Sequence, residues 1–448
     1  MTRDLKGCAL SVGLLGWFFL CPDCLLAVTD FVMRIAVFTD SFLPYICGAT
    51  FAALNQANEL AKRGHKVRVY CPGSTHDQPK TSMSDELHES VSVKTVPFSL
   101  PWGGQPDLNV VFPVLWPTMR DLRRFKPDVV HAHTEWGTGW AGVFAARRLR
   151  IPLIGTFHTF WDDPRYVRHF PWPNWKCIQR AMGAYSAFFY RQCDVTIAPS
   201  ASVQAHLKTR GIDATVVSNG IPQPELRPAR EIAKRRAALG FDERLTFLYL
   251  GRVSYEKSLR VCLEAFKQVL ATHPESRFVM IGDGPDMARI KAHARELALG
   301  DRVHFTGAIP HEKLMAQNLP LLGDVFITAS ETENQPVSML EVMTFGLPAI
   351  GPRARGIPEL IEEGRNGYLF EPGDVAGLAA HMLAIAESPA ALTALRRGAF
   401  AVADHHSIMR SAERLETIYG ASQAALGGAT AGRRSRDPGE AAALRRSA

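Results

Sequence analysis

From Met33 onward the chain alternates short β-branched runs with longer amphipathic ones, and it does so in two series. The first series of strand candidates is Arg34–Thr39, Lys66–Cys71, Val91–Val96, Asp128–His133, Pro152–Phe157, Asp194–Ala198 and Ala214–Val217. Helical patterns lie between several of them. In Phe51–Arg63 the apolar Phe51, Leu54, Ala57 and Leu60 share one face before Gly64 stops it. A Pro-rich stretch from Ile221 to Pro228 interrupts the pattern. The second series follows: Thr246–Leu250, Arg277–Ile281, Arg302–Thr306, Asp324–Thr328, Pro348–Gly351 and Gly367–Phe370. Strands that alternate with helices form parallel sheets covered on both faces. The fold class is therefore α/β, with two doubly wound parallel-sheet domains facing a cleft.

The expected domains are residues 33–222 and 223–404, followed by a helix over 405–426 that returns to the first domain. Residues 427–448 turn Gly/Ala/Arg-rich and aperiodic, which reads as a disordered basic tail. Residues 1–32 are an apolar extension with three readings: a signal peptide, an anchor, or a dispensable segment upstream of a fold that begins at Met33. The last is preferred, because MRIAVFTD opens like a native first strand.

Composition narrows the function. With 448 residues, 46% hydrophobic and 21% charged, the chain is not collagenous, not a disordered polyampholyte and not a polytopic membrane protein. Its net charge of +7 is spread without a long Lys/Arg block, so nucleic acid is not an expected partner. Anionic small molecules and an anionic membrane surface are. Eight scattered cysteines read as reduced thiols in a cytoplasmic protein, not as a disulfide framework. The lone pair Cys21 and Cys24 lacks the second pair that a zinc site needs.

The richest segment is SETENQPVSMLEVMTFGLP, Ser330 to Pro348. Pro336 suits the first turn of a helix and Gly346 its end. Glu333 then sits in the loop after a strand, while Glu341 lies about two turns into the helix. Backbone N–H groups of Gln335, Val337 and Ser338, on either side of Pro336, mark a helix N-terminus able to hold a phosphate, with hydroxyls on either side for the two carboxylates. Next comes GRVSYEKSL, Gly251 to Leu259, directly after a strand. Parallel sheets bind ligands beyond the carboxyl ends of their strands, so Arg252 and Lys257 face the cleft and can neutralise a diphosphate. In the first half, Gly48 lies between a strand and a helix, where backbone can approach a ligand, and Thr50 can cap that helix. His131 and His133 share one face of a strand, and His158 ends the next one. They lack a carboxylate or thiol partner at metal-site spacing and read as histidines lining a polar crevice. GDGP, Gly282 to Pro285, is a strand-to-helix turn.

Taken together, these segments resemble the retaining glycosyltransferases of the GT-B fold, glycosyltransferase family 4, also called glycosyl transferases group 1. Phosphatidylinositol mannosyltransferases and glucosyl-diacylglycerol synthases are among its lipid-modifying members. The resemblance runs from Met33 to about Ala424 through DSFLPYICGAT, PDVVHAHT, IPLIGTFHT, APSASV, SNGI, GRVSYEKS, IGDGP, FTGAIP, the paired glutamates and GYLFEPGD. It implies two Rossmann-like domains, with the nucleotide-sugar donor held mainly by the second and the acceptor by the first. Arg252 and Lys257 would hold the donor diphosphate, Glu333 the donor sugar and Glu341 the ribose. Gly48 would approach the diphosphate from the first domain, and Ala308 and Ile309 would border the base. His133 matches a histidine that contacts the transferring sugar. No metal or other cofactor is implied. This chain departs from the family at Ser258, where glycine is usual, and at Asn334-Gln335-Pro336, which replaces a pair ending in glycine. Its first loop has one glycine where many members have two.

The resemblance also implies transfer of a hexose from a UDP- or GDP-sugar with retention, by a front-side route. The acceptor would be a hydroxyl of a membrane lipid or glycan precursor, at the cytoplasmic face of the membrane. Phe160 to Trp175 mixes aromatic with basic residues, and His158, Arg165, Tyr166, Arg168 and His169 are the acceptor-side candidates. Two readings of other classes are carried beside it: a non-catalytic nucleotide-sugar-binding protein and a GT-B-type epimerase. A nicotinamide-type oxidoreductase is disfavoured because GxGxxG is missing after the first strand.

Overall fold

A computed structural model describes residues 32–434 except 44–46, 74–86, 98, 103–104, 112–115, 165–175 and 242–243. The first domain contains β1 (Arg34–Phe38), α1 (Gly48–Lys62), β2 (Lys66–Pro72), β3 (Val91–Val96), β4 (Ser99–Trp102), β5 (Gln105–Val111), α2 (Trp116–Phe125) and β6 (Val129–Ala132). It continues with α3 (Gly137–Leu149), β7 (Leu153–Thr156), α4 (Lys176–Tyr190), β8 (Val195–Ala198), α5 (Ala201–Thr209) and β9 (Ala214–Val216). Seven of these strands form one parallel sheet in the order β3-β2-β1-β6-β7-β8-β9. The antiparallel pair β4–β5 stands apart and was not among the strand candidates. Pro101 hid it, although Gly103-Gly104 is a hairpin signature.

The second domain contains α6 (Ala229–Ala238), β10 (Thr246–Leu250), α7 (Leu259–Val269), β11 (Arg277–Ile281), α8 (Met287–Glu296), β12 (Val303–Gly307) and α9 (His311–Ala316). Then come β13 (Val325–Ile327), α10 (Val337–Thr344), β14 (Ala349–Pro352), β15 (Gly367–Phe370), α11 (Val375–Ala386), α12 (Pro389–His405) and α13 (Ile408–Arg434). Its six strands are all parallel, in the order β12-β11-β10-β13-β14-β15. Every residue of β10 and of β11 is buried, as expected of central strands covered by helices on both faces. The fold is thus two Rossmann-like α/β domains.

Helix α13 crosses back to the first domain. Its start pairs with the inter-domain linker, where Ile408 donates its N–H to the Ile221 carbonyl at 2.9 Å. Further on, Glu416 accepts from Arg63 at 2.8 and 2.9 Å and pairs with His65 at 2.8 Å, and Tyr419 reaches His131 at 2.7 Å. The helix runs on through residues 427–434, where the sequence reads as a disordered tail. Residues 1–31 and 435–448 lie outside the described residues.

Candidate donor and transfer site

In each sheet two neighbouring strands send the chain off in opposite directions, β1 and β6 in the first, β10 and β13 in the second. Such switch points leave a crevice at the carboxyl ends of the strands. The sequence-derived candidates fall on both. Gly48 opens α1 after β1, and His133 follows β6; Lys257 follows β10, and Glu333 follows β13.

The two helix starts face one another. A Cβ on Gly48 would stand 3.8 Å from Val337 Cγ2, so the N-termini of α1 and α10 converge across the cleft. Each brings unpaired backbone N–H groups and the positive end of a helix dipole. Pro336 is the N-cap of α10, with Val337 and Ser338 in its first turn, and Gly346 follows its end at a φ of 75°. Helix α1 starts three residues before the expected Phe51, which puts Thr50 inside the helix; the N-cap is Cys47, with an extended backbone.

The basic loop is fixed by its neighbour. Gly251 donates its N–H to the Ile281 carbonyl at 3.0 Å, Val253 to that of Asp283 at 2.9 Å, and Asp286 to that of Val253 at 3.1 Å. Gly282 permits this zippering: its φ is 138°, and a Cβ there would lie 1.9 Å from the Gly251 carbonyl oxygen. The GDGP turn therefore serves as the brace for Arg252 and Lys257. Arg252 is exposed and has no side-chain hydrogen bond among the described residues. Lys257 donates to the Glu333 carboxylate. Burial alone would lower its pKa, but Glu333, and then Glu256, outweigh burial and hold it above the ordinary lysine value. Ser258 sits in left-handed backbone at a φ of 49°, which explains why glycine is usual at this position.

Glu341 is buried, and its Oε1 lies 2.7 Å from His311 Nε2. Ala308 and Ile309 follow β12, at the third strand end of the same crevice. The side chain of Gln335 reaches the first domain, accepting from the Asn219 N–H at 2.8 Å and the Ser218 hydroxyl at 3.2 Å. Opposite, the three histidines form one chain of contacts. His131 bonds Tyr419 and Thr156 at 2.7 Å each, and His133 Nδ1 meets His158 Nε2 at 3.1 Å. Burial pulls His131 down to about 3 and His158 to about 4, and puts His133 well below the usual value, so all three are neutral at pH 7. Arg165, Tyr166, Arg168 and His169 lie outside the described residues.

Comparison with known proteins agrees with this architecture. The family model for Glycosyltransferase Family 4 matches residues 46–223, and that for Glycosyl transferases group 1 matches residues 231–401. A GDP-mannose-dependent alpha-mannosyltransferase of Mycobacterium tuberculosis is 30% identical over 348 residues, covering 76% of this chain and 85% of that protein. The chain belongs to the group 1 glycosyltransferases. An alpha-monoglucosyldiacylglycerol synthase of Streptococcus pneumoniae is 29% identical over 348 residues, 75% of each chain. In fold, the chain is similar to Anabaena Alr3699/HepE, whose structure in complex with UDP covers 87% of this chain and 100% of that one, at 20% identity and a TM-score of 0.70. The protein is thus an enzyme that uses nucleotide sugars.

The glycosyltransferase holds its two domains together with side chains that local sequence does not announce. Asn334 donates to the His158 carbonyl, and Arg355 pairs with Asp163 while lying 4.5 Å over the Phe160 ring. Glu359, from the second domain, caps α5 of the first, accepting from the N–H groups of Ala201 at 2.7 Å and Ser202 at 2.6 Å. Arg355 lies in the loop that follows β14 and Glu359 ends the short turn Ile357–Glu359, and no motif marks either of them.

Glu135, two residues beyond His133, is another that the motifs did not flag. It is 2% exposed and accepts from Ser186 Oγ at 3.1 Å and Tyr190 Oη at 3.4 Å. Burial raises its pKa to about 7. Between about pH 4.5 and 7 the native state then keeps a proton that the unfolded chain has lost, so stability falls as pH rises through that window. Glu135→Gln removes the ionisation, and thermal unfolding is expected to show it more stable than the parent at pH 8 by about 3 kcal/mol, with little difference at pH 4.5. An equal effect at both pH values would mean that Glu135 does not carry this proton.

Proposed function

We propose that the enzyme transfers a hexose from a UDP- or GDP-sugar, with retention, to a hydroxyl of a membrane lipid. The observation that carries the donor side is the meeting of two helix N-termini with the Lys257–Glu333 pair at both switch points. The donor diphosphate lies between the starts of α1 and α10, with Arg252 and Lys257 on its oxygens and Glu333 toward the sugar. Glu341 takes the ribose, the backbone of Ala308 and Ile309 borders the base, and His133 faces the sugar from the first domain. The anomeric carbon–oxygen bond to the diphosphate breaks while the acceptor oxygen bonds the same face of that carbon. The acceptor proton passes to the departing phosphate oxygen, and the two cations and helix dipoles stabilise the charge in place of a divalent metal. The α products in the names of the relatives accord with retention.

A lipid acceptor is supported by the outer face of the first domain. Helices α2, α3 and α4 pack on one core layer, and outward they expose Trp116 at 79%, Phe144 at 46% and Phe188 at 54%. The three helices carry seven basic residues, and their one acid, Asp121, is paired with Arg68. Interfacial aromatics among arginines suit an anionic bilayer surface. Among the described residues no single helix is long and apolar enough to cross a membrane.

The test mixes protein with UDP-glucose, GDP-mannose and related donors, with and without membrane-lipid extract, and follows released nucleoside diphosphate. Lipid-dependent release with one donor and an α-linked product is expected. A β-linked product overturns retention, and release that needs only a soluble sugar overturns the lipid acceptor. Sugar isomerisation without acceptor would make the enzyme an epimerase.

A further inference from the structure

We infer that His311 is the positioning residue for Glu341, and that it makes recognition of the donor ribose depend on contact between the two domains. This rests on the reading of Glu341 as the ribose carboxylate. A buried carboxylate can accept two hydroxyls of a ribose only if it is held in one orientation and kept ionised. Glu341 is 4% exposed, and His311 Nε2 at 2.7 Å from Oε1 is the hydrogen bond it has among the described residues. One carboxylate oxygen is thereby fixed, and Oε2 is left for a diol. His311 opens α9, directly after the Ala308–Pro310 segment that borders the base. The same residue thus links the base-bordering loop to the ribose carboxylate.

The imidazole is itself held from the other side of the cleft. Its ring lies 4.0 Å from that of Phe51, centroid to centroid, at an interplanar angle of 36°. Phe51 stands in the first turn of α1, close to the Gly48 end that approaches α10. A first-domain aromatic ring therefore presses on the residue that aims a second-domain carboxylate. When the domains separate, Phe51 leaves and His311 loses one wall, so Glu341 is held in the diol-accepting orientation only in the closed arrangement.

The discriminating measurement is calorimetric binding of UDP and GDP, each compared with its 2′,3′-dideoxy counterpart, to the full chain. The parent is expected to prefer the ribose form of the base it binds by at least about tenfold, as hydroxyl bonds to a buried charge warrant. His311→Ala is expected to reduce that preference about fivefold or more while leaving affinity for the dideoxy form unchanged. His311→Gln, which can still donate to Oε1, restores most of it, and Phe51→Ala weakens it as His311→Ala does. Full preference in His311→Ala overturns the inference, as does an equal loss for both ligands, which would be the mark of a packing role. Full preference in Phe51→Ala overturns the inter-domain half. Full preference in Glu341→Ala, or no binding of either nucleotide, overturns the donor reading beneath it and is recognisably a different failure.

Discussion

Replacing Lys257 by alanine is expected to lower turnover by more than about a hundredfold without unfolding the enzyme. The argument starts from where the residue sits. It ends a short turn, Tyr255–Lys257, that follows the central strand β10, and its backbone N–H is tied to the Ser254 carbonyl at 3.0 Å. The turn cannot drift, because the GRV segment before it is zippered to the GDGP turn. Burial opposes the charge, yet Glu333 raises the pKa above that of free lysine, so the ammonium is present throughout the pH range of an assay. An ammonium fixed in a cleft acts on the charge that develops on the leaving diphosphate. Removing one such group costs about 3 kcal/mol of transition-state stabilisation, or about two orders of magnitude in rate. Linkage fixes the sign for stability: a raised lysine pKa gives stability that is complete below about pH 10.5 and lost only as pH rises through the folded value. Lys257→Ala therefore loses this pair at every assay pH, and Lys257→Arg should recover part of the rate. The check is turnover beside thermal unfolding. Near-normal turnover by a folded variant would remove Lys257 from the transfer site.

How much of this could be read from the chain divides by the range of the interaction. The strands Thr246–Leu250, Arg277–Ile281 and Gly367–Phe370 coincide with their sequence expectations, because strands buried on both faces are continuous apolar runs bounded by turn residues. Lys257 and Glu333, read separately from two motifs, pair with each other because each stands just past a strand end, and parallel topology brings those ends together. What remained hidden was long-range. Gln335 is read from the sequence for its backbone at the helix start, and nothing local shows that its side chain accepts from Ser218 and Asn219, more than a hundred positions away. The pairs His311–Phe51, Glu359–Ala201 and Arg355–Asp163 likewise join the two domains. Local propensity holds no information on which surface meets which, so these partners are visible only once the domains are docked.

Gly356→Ala is the second substitution expected to cost more than about a hundredfold in turnover, and it separates position from conformation at the same site. Gly356 has a φ of −83°, which any residue adopts, so backbone strain does not explain the glycine. Space does. Its N–H donates to the Glu333 carbonyl at 3.0 Å, and a Cβ would fall 1.9 Å from the Asn334 carbonyl oxygen. That obstacle is backbone, so it cannot rotate aside as a side chain would. An alanine must push the Glu333–Asn334 segment away by about 1 Å, enough to misplace a catalytic group at a cost of about a hundredfold. Overpacking of this kind costs about 1–3 kcal/mol of stability, which leaves a folded protein to assay. Gly240 is the natural control. Its φ is 68° with nothing within 4 Å of a Cβ, so Gly240→Ala should cost about 1 kcal/mol in strain and leave turnover within twofold. If both variants lost similar stability and both kept their turnover, the Glu333 loop would not need its present place for transfer. Loss confined to Gly356→Ala would tie the rate to the position of that loop and not to stability.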